Sequence, residues 1–251
     1  IAVMWLTPAQ DRLFTGPAGD RRKFLDRFAL THNPNHGITS IRYEKTRSER
    51  NRLLSDGIQD AAWYDALETD LAKHGAQITQ ARVETVARLQ EAINTRDSVF
   101  PKSHLQLEGY METLLEDAKD FEDLEFTFRE HLSATRAVDM RAGRTLIGPH
   151  RSELSVTHIA KSMPAAQCST GEQKALLIGL ILAHARAQAH KQPILLLDEV
   201  VAHLDAERRA ALAEELFDLG TQIFMTGTDV ELFSDFVGRA QIKDINDMLE
   251  K

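Results

Sequence analysis

The chain is 251 residues long, 43% hydrophobic and carries a formal net charge of −8. This is enough apolar content for one sizeable core, or a core plus an appendage, with no global basic footprint of the kind that announces nucleic acid. A single cysteine excludes an internal disulfide framework and a cysteine-based metal site, and favours a reducing, cytoplasmic setting. No apolar run approaches the roughly 20 residues that span a bilayer, and no signal peptide is visible, so no membrane partner is expected. The charge is uneven: residues 1–54 hold ten Lys and Arg against five Asp and Glu (+5), leaving −13 for the rest. Such asymmetry suits a local anionic partner or a solvated helix face. The chain opens Ile-Ala-Val-Met-Trp-Leu, in mid-strand and without Met at position 1, and reads as a fragment.

In chain order, residues 2–6 predict a buried strand ending at Thr7-Pro8. Gly16 to Gly19 makes a loop, with Asp20 a candidate cap for a helix running to about Leu30. This glycine loop lacks the Gly-Lys-Ser/Thr ending of a P-loop, and the ending occurs nowhere in the chain. A charged helix over Ile41–Leu54 breaks near Ser55-Asp56-Gly57. A longer helix follows, with Trp63, Leu67, Leu71, Ile78, Val86, Leu89 and Ile93 as a narrow stripe of the sort used in helix-on-helix packing. Phe100-Pro101 stops it, Leu105 and Leu107 alternate like a short strand, and Phe121, Leu124, Phe128 and Leu132 mark another helix. Residues 38–136 therefore read as a helical arm inserted into an α/β domain made of 1–37 and 137–251. Thr145–Val156 predicts two short strands around a Gly-Pro turn. His150 and Arg151 at that turn suit a surface loop with an ion pair, a phosphate or DNA contact, or a relay between arm and nucleotide.

The chemistry concentrates further on. Cys168-Ser169-Thr170-Gly171-Glu172-Gln173-Lys174 reads as a small-residue loop opening a helix. Ser169 is a plausible N-cap, and the free N–H groups behind it favour an anion, phosphate included. Ala175–Ala189 is apolar nearly all round and predicts a buried helix. Ile194–Leu197 has the continuous apolar character of a central parallel strand covered on both faces, and it ends at Asp198-Glu199. Adjacent acids there can hold a hydrated Mg²⁺ through Asp198 and polarise an attacking water through Glu199, provided that Glu199 starts the loop. An acidic turn explains either residue alone. Ala202-His203-Leu204-Asp205 then turns into a helix with Leu212, Leu216 and Leu219 inward. A strand over Gln222–Met225 follows, giving the βαβ rhythm of a doubly wound sheet.

The loop at Ser169, one helix ahead of Asp198-Glu199 and with Leu204-Asp205 after it, resembles the signature, Walker B and D-loop passage of ABC-type ATPases. Residues 13–26, Tyr43 with Arg50-Asn51-Arg52-Leu53-Leu54, Thr145 to Leu154 and Leu196 to Glu199 are together similar to the RecF family. That resemblance implies an SMC/Rad50-like P-loop ATPase head of α/β class with a helical arm. Its cofactors are ATP and Mg²⁺, and it forms an ATP-sandwiched homodimer. In it Ser169, Gly171, Glu172, Gln173 and Lys174 meet the nucleotide of the other subunit, Asp205 is the D-loop acid, and Thr226 and Thr228 stand where a γ-phosphate sensor is found. Glu172 departs from the Gly or Gln of many ABC proteins. The family binds single-stranded or gapped DNA, works with the RecO and RecR proteins, loads RecA and supports the SOS response. DNA-contact candidates are Arg21, Arg22, Lys23, Arg27, Arg42, Lys45, Arg47, Arg50, Arg52 and Arg151, or these are solvated surface. The family's Walker A loop lies upstream of the matched region, so the chain by itself is expected to bind ATP poorly and not to hydrolyse it. Transporter nucleotide-binding domains share the signature and Walker B but not an insertion of this length, and a non-catalytic interaction module is the third reading.

Overall fold

The computed structural model describes residues 2–202 and 204–245, so that His203 of the D-loop passage lies outside it. The chain divides into two compact units. One comprises Ile1–Thr15, Leu89–His104 and Val156–Lys251, the other Gly16–Arg88 and Leu105–Ser155. The division falls elsewhere than at the sequence boundaries after residues 37 and 136. The helical unit takes the first helix as well, because Arg21 on it makes a two-pronged ion pair with Glu153, and it cedes residues 89–104 to the sheet-bearing unit.

In the sheet-bearing unit, β1 (Val3–Leu6), β5 (Ile194–Asp198) and β6 (Ile223–Thr226) form a parallel sheet in the order β1-β5-β6. The register sets Leu6 beside Leu197 and Asp198 beside Thr226. Helix α7 (Thr170–Ala187) packs against β1, and α8 (Ala206–Asp218) makes the crossover from β5 to β6. Every residue of α7 from Gln173 to Ala185 is buried, as its all-round apolar sequence predicts. The expectation that β5 is covered on both faces fails. Leu6, Leu195 and Leu197 are sealed, but Val3, Trp5, Leu196 and Phe224 on the alternate positions are 40–53% exposed, and β1 likewise buries only one face. Arg96 is also enclosed in this unit, donating to the carbonyls of Gly179 and Phe100. Gly179 makes room for it, since a Cβ there would sit 3.1 Å from the guanidinium.

The helical unit contains α1 (Ala18–His32), α2 (His36–Ser55), most of α3 (Ala61–Thr95), α4 (Tyr110–Asp117), α5 (Phe121–Ala134) and α6 (Arg136–Ala142). Helix α1 begins two residues before the proposed cap: Pro17 is its N-cap and Asp20 an acid of its first turn. Helix α3 ends at Thr95, short of Phe100-Pro101. Its buried face is broader than a narrow stripe, because polar residues are enclosed with the apolar ones, and Trp63 lies outside it at 46% exposure while Tyr64 is buried. Tyr64 is held beneath the guanidiniums of Arg50 and Arg136. A core of Tyr43, Leu71, Ile78, Met111, Leu124, Phe128 and Leu132 joins α2, α3, α4 and α5.

Strands β2 (Ser103–Glu108), β3 (Glu153–His158) and β4 (Met163–Pro164) form a second sheet in that order, with β3 and β4 antiparallel. Only one of the two strands expected in 145–156 exists. Thr145 and Leu146 are instead held by side chains: Asn51 accepts from the amide and hydroxyl of Thr145, and Asp139 from the amide of Leu146. With both amides bound to side chains, this segment has no ladder to join.

Candidate functional site

The end of the central strand builds the acidic corner. Asp198 is the last residue of β5 and Glu199 the first beyond it, as a working acid pair requires. Glu199 adopts φ +51°, a left-handed conformation uncommon for a residue with a side chain. The neighbouring strand holds this bend in place. Thr226, in register with Asp198, accepts from the Glu199 amide through its carbonyl at 3.2 Å and through its hydroxyl at 3.3 Å. The same hydroxyl donates to Asp198 Oδ1. Thr226 is thus a positioning residue in this geometry, its hydroxyl already engaged, and not a free phosphate sensor. Glu199 is exposed and Asp198 half-buried. The corner therefore presents Asp198 Oδ2 and the Glu199 carboxylate, hard oxygen donors that suit Mg²⁺ carrying most of its own waters. Thr228 is exposed beyond the strand. Gly227 between them leaves room for the Phe233 ring, which a Cβ would approach to 2.8 Å and displace.

Ser169 is the N-cap of α7, and its amide donates to Glu172 Oε2 at 3.0 Å. Lys161 pairs with the same carboxylate. Lys161 first, and then the Ser169 amide, hold the Glu172 carboxyl down at about 2, so it is ionised and occupied in capping. Gln173 and Lys174, grouped with the loop's ligand contacts, turn inward instead. Gln173 donates to the Cys168 carbonyl at 2.9 Å, and Lys174 pairs with Asp11 at 2.6 Å. What the loop presents outward is Ser169, Thr170 and Gly171, where a Cβ on the glycine would meet nothing within 4 Å. Asp205 caps α8 by accepting from the Arg208 amide at 2.8 Å.

The basic residues sort by burial. Arg50 is fully enclosed, bonded to Glu68, Asp139, Thr145 and the Leu132 carbonyl, so it cannot touch DNA. Its place on a charged helix face hid this, because the partners lie 18 to 95 residues away. Arg21 is likewise committed to Glu153 and the Gly16 carbonyl, and Arg22 donates to the Ser152 carbonyl. Arg47 pairs with Glu44, and the half-buried Arg27 lies over the Phe24 ring. Lys23, Arg42, Lys45, Arg52 and Arg151 are exposed.

His150 is half-buried and tied into the fold on both ring nitrogens. Its Nε2–H donates to the Thr145 carbonyl at 3.2 Å, leaving Nδ1 to accept from the Tyr43 hydroxyl at 2.8 Å. Burial, then the charge of Arg47, pushes it down to about 3. Gly148, at φ +136°, brings the backbone so close to Tyr43 that a Cβ would fall 2.3 Å from the hydroxyl. Sequence reasoning missed a second cluster. Arg82 donates to both oxygens of Asp26 and to the Pro149 carbonyl, and His36 Nε2 lies 2.8 Å from Asp26. Burial opposes ionisation of Asp26, but the hydrogen bonds from His36 and Arg82 outweigh it and bring its carboxyl to about 2.

A parallel strand ending at an acid pair, a crossover helix capped by Asp205 and a preceding helix opened by Ser-Thr-Gly define the class: a P-loop-type ATPase fold with an inserted helical unit. Residues 10–234 match the family model described as "AAA domain, putative AbiEii toxin, Type IV TA system". The DNA replication and repair protein RecF of Mesorhizobium japonicum is 50% identical over 98% of this chain and 66% of its own length. That of Allorhizobium ampelinum is 48% identical over 98% of this chain and 67% of its own. The solved structure of the recombination mediator protein RecF with ATP, of the RecFOR pathway, superposes with a TM-score of 0.76 at 22% identity, over 94% of this chain and 64% of that one. The chain belongs to the RecF family. It spans about two thirds of the length of the curated relatives it matches. No helix among the described residues is long and apolar enough to cross a membrane.

Proposed function

We propose that this chain is the part of a cytoplasmic DNA-repair ATPase that carries the Walker B acids, the signature loop and a helical arm. The observation that carries the reading is the acidic corner, where strand end, left-handed bend and Thr226 tether set two adjacent acids at one edge of a parallel sheet. Asp198 would hold Mg²⁺ through water, and Glu199 would orient and polarise a water beside the terminal phosphate. The metal, when bound, neutralises phosphate charge. Ser169 through its hydroxyl and Gly171 through its amide meet the nucleotide held by a second copy, so each site is completed in an ATP-dependent homodimer. Both are half-sites, because Gly-Lys-Ser/Thr is absent from the sequence. The complete protein is a weak, DNA-dependent ATPase that acts on single-stranded or gapped DNA with RecO and RecR and supports RecA loading. Residues 38–136 serve as its arm.

DNA contacts fall to the exposed cations Lys23, Arg42, Lys45, Arg52 and Arg151. They bind phosphate, with steep salt dependence and little base preference. In the complete protein, Glu199→Gln abolishes phosphate release while ATP-dependent dimerisation, followed by sedimentation, persists. Ser169→Arg abolishes dimerisation. Undiminished hydrolysis by Glu199→Gln would refute the assignment.

A further inference from the structure

The helical unit contains a cleft of about 640 Å³ that the ATPase reading does not use. It lies where α2 begins, along one side of α3 and beside the first residue of α5. Two features point to an anion, and a third to a hydrogen-bond donor beside it. The first turn of the 20-residue α2 carries no acid, so the positive end of its dipole is uncompensated at the cleft. Arg42 and Lys73 line the cleft and are exposed. His36, only 2% exposed, also lines it; its Nε2–H donates to Asp26, which leaves its buried Nδ1 an acceptor with no hydrogen-bond partner among the described residues. A buried polar atom left unpaired is costly and calls for a ligand group to satisfy it. Glu84, the acid of the lining, accepts from the Gln80 carboxamide at 3.0 Å.

The rest of the lining is not that of a simple anion site. Gln77 and the Asn33 and Asn35 carboxamides offer paired donors and acceptors. His74 is fixed by Nδ1–H donation to the Asp70 carbonyl at 2.8 Å, which leaves Nε2 as an acceptor. Phe121 adds an aromatic ring at the rim. An acidic peptide would require only the cations. Carboxamides beside an aromatic ring and cations suit a base joined to a phosphate.

We propose that this cleft binds one nucleotide of a single strand, with the phosphate at the start of α2 between Arg42 and Lys73 and the base against Phe121. The proposal rests on the DNA-binding reading above and assigns it a specific pocket. A duplex, with its bases stacked inside, cannot enter.

The test is fluorescence anisotropy of the 251-residue chain with a labelled ten-nucleotide oligothymidylate, beside a duplex of equal length. Lys73→Glu should weaken single-strand affinity about tenfold and flatten its salt dependence, with duplex binding changed less than about twofold. Phe121→Leu should weaken single-strand binding about fivefold with the salt slope intact. Arg129→Glu, the same charge change outside the lining, should leave both unaffected. Lys73 is exposed, so an unchanged melting curve certifies the fold. Oligothymidylate binding that all three variants leave intact overturns the pocket and spares the DNA reading. A chain that binds neither strand form overturns both. Tighter binding of a ten-residue oligoglutamate than of oligothymidylate overturns the nucleotide assignment in favour of an acidic peptide.

Discussion

The two units differ in what they enclose and in what they leave open to water. The helical unit encloses ionised side chains: Arg50 with Glu68 and Asp139, and Arg82 with Asp26. The sheet-bearing unit seals α7 and one face of its sheet, then leaves Val3, Trp5, Leu196 and Phe224 on the other face open to water. A parallel sheet is ordinarily covered on both faces. The lesson is that the helical unit closes over its ion pairs, whereas the sheet leaves one face and its acidic corner open to water.

The comparison can be broken in several ways. The largest expected effect is on pH. His150 is neutral when folded, held near 3 against 6.5 when unfolded. The unfolded chain therefore takes up the extra proton, and stability present above pH 6.5 is lost as pH falls toward 3. The upper bound is about 5 kcal/mol. Below about pH 4 the protonation of Asp26, lowered from 3.8 to about 2, removes about 2 kcal/mol more. Urea melts of the chain between pH 7 and 4 should show the first decline, and His150→Gln should flatten it. A pH-independent wild type would mean that the histidine is not enclosed.

Next in size is Arg50→Ala, which strands Asp139 in the interior while Glu68 keeps Arg136, and should cost about 3–5 kcal/mol. The same truncation at exposed Lys45 should stay within about 0.5 kcal/mol. Equal effects at the two sites would dissolve the distinction between structural and surface cations. In the sheet-bearing unit, Asp205→Ala removes a helix cap and should cost about 1 kcal/mol by the same melts. Smallest is Trp5→Thr on the open sheet face, expected within about 0.5 kcal/mol, whereas Leu195→Ala on the sealed face should cost about 2–5 kcal/mol.

Much of this was legible in the sequence where the signal is local. Ser169 as a cap, Asp198-Glu199 at a strand end and the buried run from Ala175 each follow from residues within a few positions of one another. The rest depends on partners distant in sequence. Arg50 looks like one more cation on a charged helix until Asp139 and Thr145 close over it, and Gln173 and Lys174 look like loop until Cys168 and Asp11 draw them in. Trp63 and Tyr64 are both aromatic. Packing with Leu53, Leu54 and Leu67, beneath the guanidiniums of Arg50 and Arg136, decides that Tyr64 is the one inside. The open sheet face was equally hidden, because a continuous apolar strand reads the same whether one face or two are covered.

The central claim is that this chain holds two half-sites for ATP and no complete one. Isothermal titration of the 251-residue chain with ATP and Mg²⁺ tests it directly. The account predicts no saturable heat up to millimolar nucleotide. A 1:1 isotherm with a micromolar Kd would contradict it.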